Sequence, residues 1–181
     1  LLGLVGSEMC IRDRKYTTVP NSENHYILDA FRENKQILKN PECTVHDIGD
    51  GVMCIEFQTK GNSIGEGIAK GINEAIDIAE KDGWNGIVIG NNDKQFSVGA
   101  NLMNMGMMAM QKNFDEIEKF LVGFQKILMR MRTCNVPVVS ATHGFVLGGG
   151  LEVSIHCDAG IHASESYLSL IHISEPTRPR S

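Results

Sequence analysis

Residues 142–158 read THGFVLGGGLEVSIHCD, a run that places Gly148, Gly149 and Gly150 just ahead of a carboxylate, Glu152, among otherwise mostly apolar residues. The stretch before it, VPVVSA (Val136–Ala141), has the continuous β-branched character of a strand buried on both faces. LEVSIHC, after the glycines, is expected to be helical. A strand that runs through three glycines straight into a helix presents backbone N–H groups that lack intrahelical partners and sit at the positive end of the helix dipole. Such groups hold anions or developing negative charge. Glycine is required where a ligand must approach the backbone closely. A tight strand-to-helix turn packed against a neighbour accounts for the same residues equally well.

A second segment favours the first of these readings. FSVGANL (Phe96–Leu102) also follows a short apolar run, GIVIG (Gly86–Gly90), and also offers N–H groups around a glycine where a helix is expected to begin. Loops after adjacent parallel strands converge at the carboxyl edge of a sheet, where ligands commonly sit. Two N–H donors aimed at one oxygen form an oxyanion hole.

Working outward, TVHDIGDGVMCIEFQT (Thr44–Thr59) predicts a hairpin turning at Gly49-Asp50-Gly51. Met53, Ile55 and Phe57 alternate with Cys54, Glu56 and Gln58, so one face of its second strand is expected to be buried. From Ile64 the apolar positions Ile68, Ile72, Ile76 and Ala79 keep helical spacing, and Gly83 suits the residue past the helix end. A second helix is predicted from about Phe114 to Arg132, capped by Asn113 or Asp115, with Ile117, Phe120, Leu121, Phe124, Leu128 and Met131 on one side. AGIHA (Ala159–Ala163) reads as a last strand. The alternation of strands and helices predicts an α/β fold with parallel strands. No internal repeat is visible. Residues 15–41 read as a linker with one or two helical turns in HYILDAFRENKQIL, closed by Pro41.

The 181 residues carry a formal net charge of -5, which disfavours nucleic acid or anionic membrane as a partner. No apolar run is long enough for a membrane span. The five cysteines, Cys10, Cys43, Cys54, Cys134 and Cys157, match neither a disulfide framework nor paired metal-ligand spacing, so reduced thiols and a cytoplasmic location are expected. The ends stand apart. VGSEMCIRDR (Val5–Arg14) and LSLIHISEPTR (Leu168–Arg178) resemble in-frame translations of a sequencing adapter, which sets residues 1–14 and 168–181 aside as non-native and makes the chain a fragment of a longer product.

FSVGANL and PVVSATHGFVLGGGLEVSIHCD together resemble the two signature segments of the crotonase (enoyl-CoA hydratase/isomerase) superfamily. The resemblance covers roughly Thr44 to Tyr167. ILDAFRENKQIL and EFQTKGNSIGEGI are similar to the hydratase portion of bacterial bifunctional proteins that join a 3-hydroxyacyl-CoA dehydrogenase to a hydratase, with the dehydrogenase upstream. The resemblance implies a crotonase-like ββα spiral truncated on its C-terminal side, with residues 42–167 as the N-terminal part of that domain. It implies an enoyl-CoA hydratase of fatty-acid β-oxidation that adds water to a trans-2-enoyl-CoA. The N–H groups of Ala100 and Gly149 would hold the thioester oxygen, and Glu152 would act as general base on the water. A second glutamate is expected near position 172, where this sequence has His172, so the chain as given is expected not to hydrate enoyl-CoA at a useful rate.

By the same resemblance Gly99, Asn101, Met103 and Gly148 belong to the substrate-binding loops. Many relatives carry Asp at the position of Asn101 and a basic residue at that of Met103, which puts a phosphate contact there in doubt and makes Lys60 a possible replacement. Met103, Met105, Met107, Met108 and Met110 crowd the segment that borders the family's acyl pocket, where a flexible, polarizable side chain suits variable chain lengths. His143 is assigned no chemistry. Acyl-CoA is the implied substrate, hydration needs no cofactor or metal, and NAD would enter only with an upstream dehydrogenase. A homo-oligomer or a multifunctional complex is expected of the full-length protein.

Three other readings compete. GNSIG (Gly61–Gly65) fits the G-x-S-x-G elbow of serine hydrolases, with Ser63 as nucleophile, although a hairpin precedes it. The same oxyanion hole serves enoyl-CoA isomerases and acyl-CoA thioester hydrolases. A non-catalytic acyl-CoA-binding module would use the pocket without the carboxylate.

Overall fold

The computed structural model describes residues 35–170, together with Leu28 and two short antiparallel strands, β1 (Ser7–Met9) and β2 (Tyr16–Thr18). The helical turns expected near residue 30 lie mostly outside the described residues. Their expected end forms a strand instead, β3 (Gln36–Lys39), which pairs antiparallel with β4 (Cys43–Gly49). The short link through Asn40 explains this: its Oδ1 accepts from the N–H groups of Glu42 and Cys43, at 2.8 and 2.9 Å, and turns the chain back on itself.

The hairpin forms as expected between β4 and β5 (Val52–Phe57), turning through Gly49, Asp50 and Gly51, all at positive φ. Its second strand departs from the expected one-sided burial. Cys54 and Glu56 are as inaccessible as Met53 and Ile55, because β5 lies inside a six-stranded sheet of order β3-β4-β5-β6-β7-β9. From β5 onward, β6 (Gly86–Ile89), β7 (Val138–Thr142) and β9 (Ala159–His162) are all parallel.

Helix α1 (Glu66–Asp82) packs the expected stripe of Ile68, Ile72, Ile76 and Ala79 into one core with Met53, Ile55, Ile87 and Ile89. Each isoleucine buried there contributes roughly 1.5–3 kcal/mol. Gly83 closes the helix in the left-handed conformation. Helix α2 (Leu102–Met110) buries none of its residues. Helix α3 (Phe114–Thr133) buries Phe124, Leu128 and Met131, but Leu121, expected inside, is 43 % exposed. Asn113 is its N-cap residue, without a side-chain capping bond. Arg130 bridges α3 to α1 through Asn73, Asp77 and Glu80.

A second, smaller layer was not legible in the sequence. β8 (Phe145–Leu147) pairs in parallel with β10 (Tyr167–Ser169), and Ser97 bridges in parallel to Val146 on the other side. Three successive main-sheet strands thus each lead to a short second-layer segment and then to a helix: β5, Ile64, α1; β6, Phe96–Ala100, α2 and α3; β7, β8, α4 (Gly149–His156). The chain is a stack of repeated turns although no sequence repeat announces them. Leu168 and Ser169, set aside as non-native, are paired within β10. Main-chain pairing of this kind is indifferent to the side chains that follow Tyr167.

Candidate active site

Ser97 joins three turns of the stack. Its N–H donates to Phe145 O (3.0 Å) and its carbonyl accepts from Leu147 N (2.9 Å). Its hydroxyl donates to Asn62 O (2.7 Å) and accepts from Gly99 N (3.1 Å). Ile64 fixes the next residues, donating to Gly99 O (2.8 Å) and accepting from Asn101 N (3.0 Å). The N–H groups on both sides of Ala100 are therefore committed, while that of Ala100 has no acceptor among the described residues.

The glycine run delivers the second donor. Gly148 N–H donates to Ser169 O (2.8 Å), and Gly149 opens α4, so its N–H has no intrahelical acceptor. A Cβ placed on Gly149 would lie 3.5 Å from Ala100 N, 3.5 Å from Ile64 Cδ1 and 3.6 Å from Phe124 Cε1. The two unclaimed N–H groups therefore border one small space walled by Ile64 and Phe124. Gly99 and Gly148, at φ +92° and +48°, make the approach possible, and a Cβ on Gly99 would come within 2.7 Å of Leu147 O.

Glu152 stands in the first turn of α4, half-buried, with its N–H donating to Gly148 O (3.0 Å) and its carbonyl accepting from His156 Nδ1 (2.7 Å). Its carboxylate has no hydrogen-bond partner among the described residues. α4 is held by Val153, fully buried, and by a 2.8 Å hydrogen bond between Ser154 and Ser140 hydroxyls. The Ala100 N–H, the Gly149 N–H and the Glu152 carboxylate, the last in the first turn of α4, are thus polar groups that no described residue claims.

Next to this space, and sharing Ile64 and Asn101 with it, lies a cavity of about 230 Å3. Met105, Met108, Ile117 and Phe120 supply apolar walls, and Glu42 and Glu66 border it too. Of the five clustered methionines the structure brings Met105 and Met108 to this cavity, whereas Met103, Met107 and Met110 are 77, 50 and 87 % exposed. Asn101 caps α2, its Oδ1 accepting from Asn104 N at 3.3 Å. Lys60 is exposed in a short 3-10 turn, Lys60–Asn62, whose Gly61 O accepts from Val98 N (3.1 Å), so it stands beside the first donor loop. His143 Nε2 donates to Asp93 O (2.6 Å), a bond that pins one loop to another. Ser63 has relaxed, extended backbone angles and no histidine partner among the described residues, unlike a strained nucleophile elbow. His172 lies outside the described residues.

Sequence reasoning missed Ser97, Ile64 and Phe124 as parts of the site. Ser97 sits inside the quoted FSVGANL and was the available signal; the other two read as ordinary core residues. The four described cysteines are free thiols, and among the described residues no group of three or more His, Cys, Asp and Glu is placed to hold a metal. Burial pushes the thiols of Cys54 and Cys157 up to about 12 and that of Cys43 up to about 11.

The two glycine loops lie where the parallel strands β6 and β7 lead on into helices. The sequence matches the enoyl-CoA hydratase/isomerase family over residues 47–175, and the chain belongs to that family. It is 35 % identical over 158 residues to a probable 3-hydroxyacyl-CoA dehydrogenase of Bacillus subtilis, covering 87 % of this chain and 20 % of that protein. It is 27 % identical over 138 residues to the fatty acid oxidation complex subunit alpha of a Psychrobacter species, covering 74 % of this chain and 19 % of that protein. The fold superposes on a putative enoyl-CoA hydratase/isomerase (crotonase) from Legionella pneumophila with a TM-score of 0.62 at 24 % identity, over 69 % of this chain and 49 % of that one. The chain thus spans about a fifth of those two curated relatives and about half of the solved structure. Among the described residues no helix is long and apolar enough to cross a membrane.

Proposed function

We propose that these residues belong to an enoyl-CoA hydratase of fatty-acid β-oxidation. The observation that supports the reading is the close approach of the Ala100 and Gly149 loops, whose N–H groups are unclaimed, with Glu152 in the first helical turn that follows. A trans-2-enoyl-CoA seats its thioester oxygen on the two donors. Glu152 takes a proton from water as the water oxygen bonds to C3, and the C2=C3 electron pair moves toward C2 and the thioester oxygen. The enolate charge so formed is what the two N–H groups stabilise, and loss of one such donor costs about 3–4 kcal/mol of transition-state stabilisation. A second acid must then protonate C2. The position expected to supply it, near residue 172, carries His172, and the 181-residue chain by itself is inactive on this proposal.

Gly99, Asn101 and Gly148 shape the loops that receive the thioester, and Lys60 lies close enough to the first loop to meet a CoA phosphate, a role Met103 does not fill. Hydration requires no cofactor, and NAD belongs only to a dehydrogenase portion of the kind named in the B. subtilis relative. The fatty acid oxidation complex relative supports work inside a multifunctional assembly.

The test is product identity in the full-length protein supplied with crotonyl-CoA. A hydratase yields a thioester heavier by one water, an isomerase an acyl-CoA of unchanged mass, and a thioesterase free CoA. Unchanged mass or free CoA would replace the reading. Binding without turnover would reduce the site to an acyl-CoA-binding module.

A further inference from the structure

Helix α1 has no capping side chain of its own: Gly65 occupies its N-cap position. The cap comes from Glu42, far earlier in the chain, whose Oε2 accepts from Ile68 N at 3.1 Å. The fit is close, since a Cβ on Gly65 would come within 2.6 Å of Glu42 Oε2 and one on Gly67 within 2.8 Å of Glu42 Cγ. A carboxylate is well placed there by the helix dipole and has little freedom to move.

The same residue lines the cavity next to the Ala100 loop, together with Met105, Met108 and Phe120. Among the described residues the cavity is lined by no lysine, arginine or histidine. A neutral alkyl group finds apolar walls in it. A negatively charged group entering from the thioester side would meet a fixed like charge in a partly desolvated space.

We propose that Glu42 determines acyl specificity, acting as an anionic stop that admits neutral acyl chains and excludes acyl chains ending in a carboxylate. This rests on the reading of the site as one for acyl-CoA thioesters. Glu66, the other carboxylate at the cavity, is exposed and screened by water, so the discrimination resides in Glu42.

The experiment compares equilibrium binding of butyryl-CoA and succinyl-CoA to the full-length protein by calorimetry. Their acyl groups have equal carbon counts and differ in a terminal methyl against a terminal carboxylate. Butyryl-CoA is expected to bind at least about ten-fold more tightly, and Glu42→Gln, which keeps shape and a hydrogen-bond acceptor for Ile68, narrows the ratio to about three-fold or less. Met108→Lys brings a cation to the same cavity, leaves the helix cap intact and narrows the ratio likewise, so the test does not depend on one variant folding. Equal affinities in the unaltered protein, or a ratio unmoved by the folded variants, overturns the proposal. Crotonyl-CoA turnover, measured separately, decides the hydratase reading: discrimination in binding without hydration keeps the stop and discards the reaction, whereas hydration without discrimination does the reverse.

Discussion

Gly99 and Gly148 both take positive φ and both precede a residue whose N–H no described residue claims, yet the helices that follow them differ. α2, after the first loop, buries no residue and exposes Leu102, Met103 and Met110 by three-quarters or more. α4, after the second, buries Gly149, Gly150, Val153 and Ser154 and is bonded to β7 through Ser140. One arm of the proposed site is anchored in the core and carries the candidate base; the other has an anchored loop and an open helix beside the cavity lined by Met105 and Met108. Chemistry needs fixed geometry, and chain accommodation needs give. The two arms divide those demands.

The strongest way to break this division is Gly99→Ala. It puts a Cβ where φ is +92° and 2.7 Å from a backbone oxygen, which cannot move as a side chain could. We expect a stability loss of about 3 kcal/mol or more, read from the urea midpoint, together with loss of thioester turnover. An unchanged midpoint would mean that the loops do not meet as described.

Glu152→Gln in the full-length protein sharpens the comparison from the chemical side. It should lower crotonyl-CoA hydration by about 10²–10⁴-fold while leaving the urea midpoint nearly in place. A parallel drop in stability would make Glu152 a structural residue.

Alkaline pH probes the shielded thiols. Cys43, Cys54 and Cys157 have folded-state thiol values raised from 9.0 to about 11, 12 and 12, so folding holds their protons more tightly than the unfolded chain does. Their stabilisation is complete below about pH 9 and is lost as pH rises through the folded values. The melting temperature should fall between pH 9 and 12, and Cys54→Ser should flatten part of that fall. The smallest effect belongs to the open helix: Met103→Ala and Met110→Ala should each change stability by less than about 0.5 kcal/mol. A larger loss at either would show that α2 is covered in the full-length protein.

The sequence disclosed the parts of this molecule whose cause is local. The β4–β5 turn follows from Gly49-Asp50-Gly51, and α1 follows from four apolar positions at helical spacing. The two glycine loops were legible because glycine is costly anywhere it is not needed. The stacked turns were not, since the second layer consists of three-residue strands held by backbone, too short for any periodicity. β5 misled for a related reason: Glu56 and Cys54 alternate like solvent-facing residues, and only their position inside the sheet buries them. Glu42 was opaque because the helix it caps begins well downstream, and no pattern links a residue before one strand to the amides of a later helix.

Ser97 has a kinetic consequence. Its hydroxyl reaches Asn62, 35 residues before it, and its backbone bonds to Phe145 and Leu147 far after it. Contacts of such separation wait on the closure of large loops and so form late, after the hairpin and α1 have organised themselves. The space between the two glycine loops cannot exist until three successive turns have assembled around this one serine. A nascent or misassembled chain therefore has no half-formed version of it, and a ligand that occupied that space would in effect report that the stack is complete.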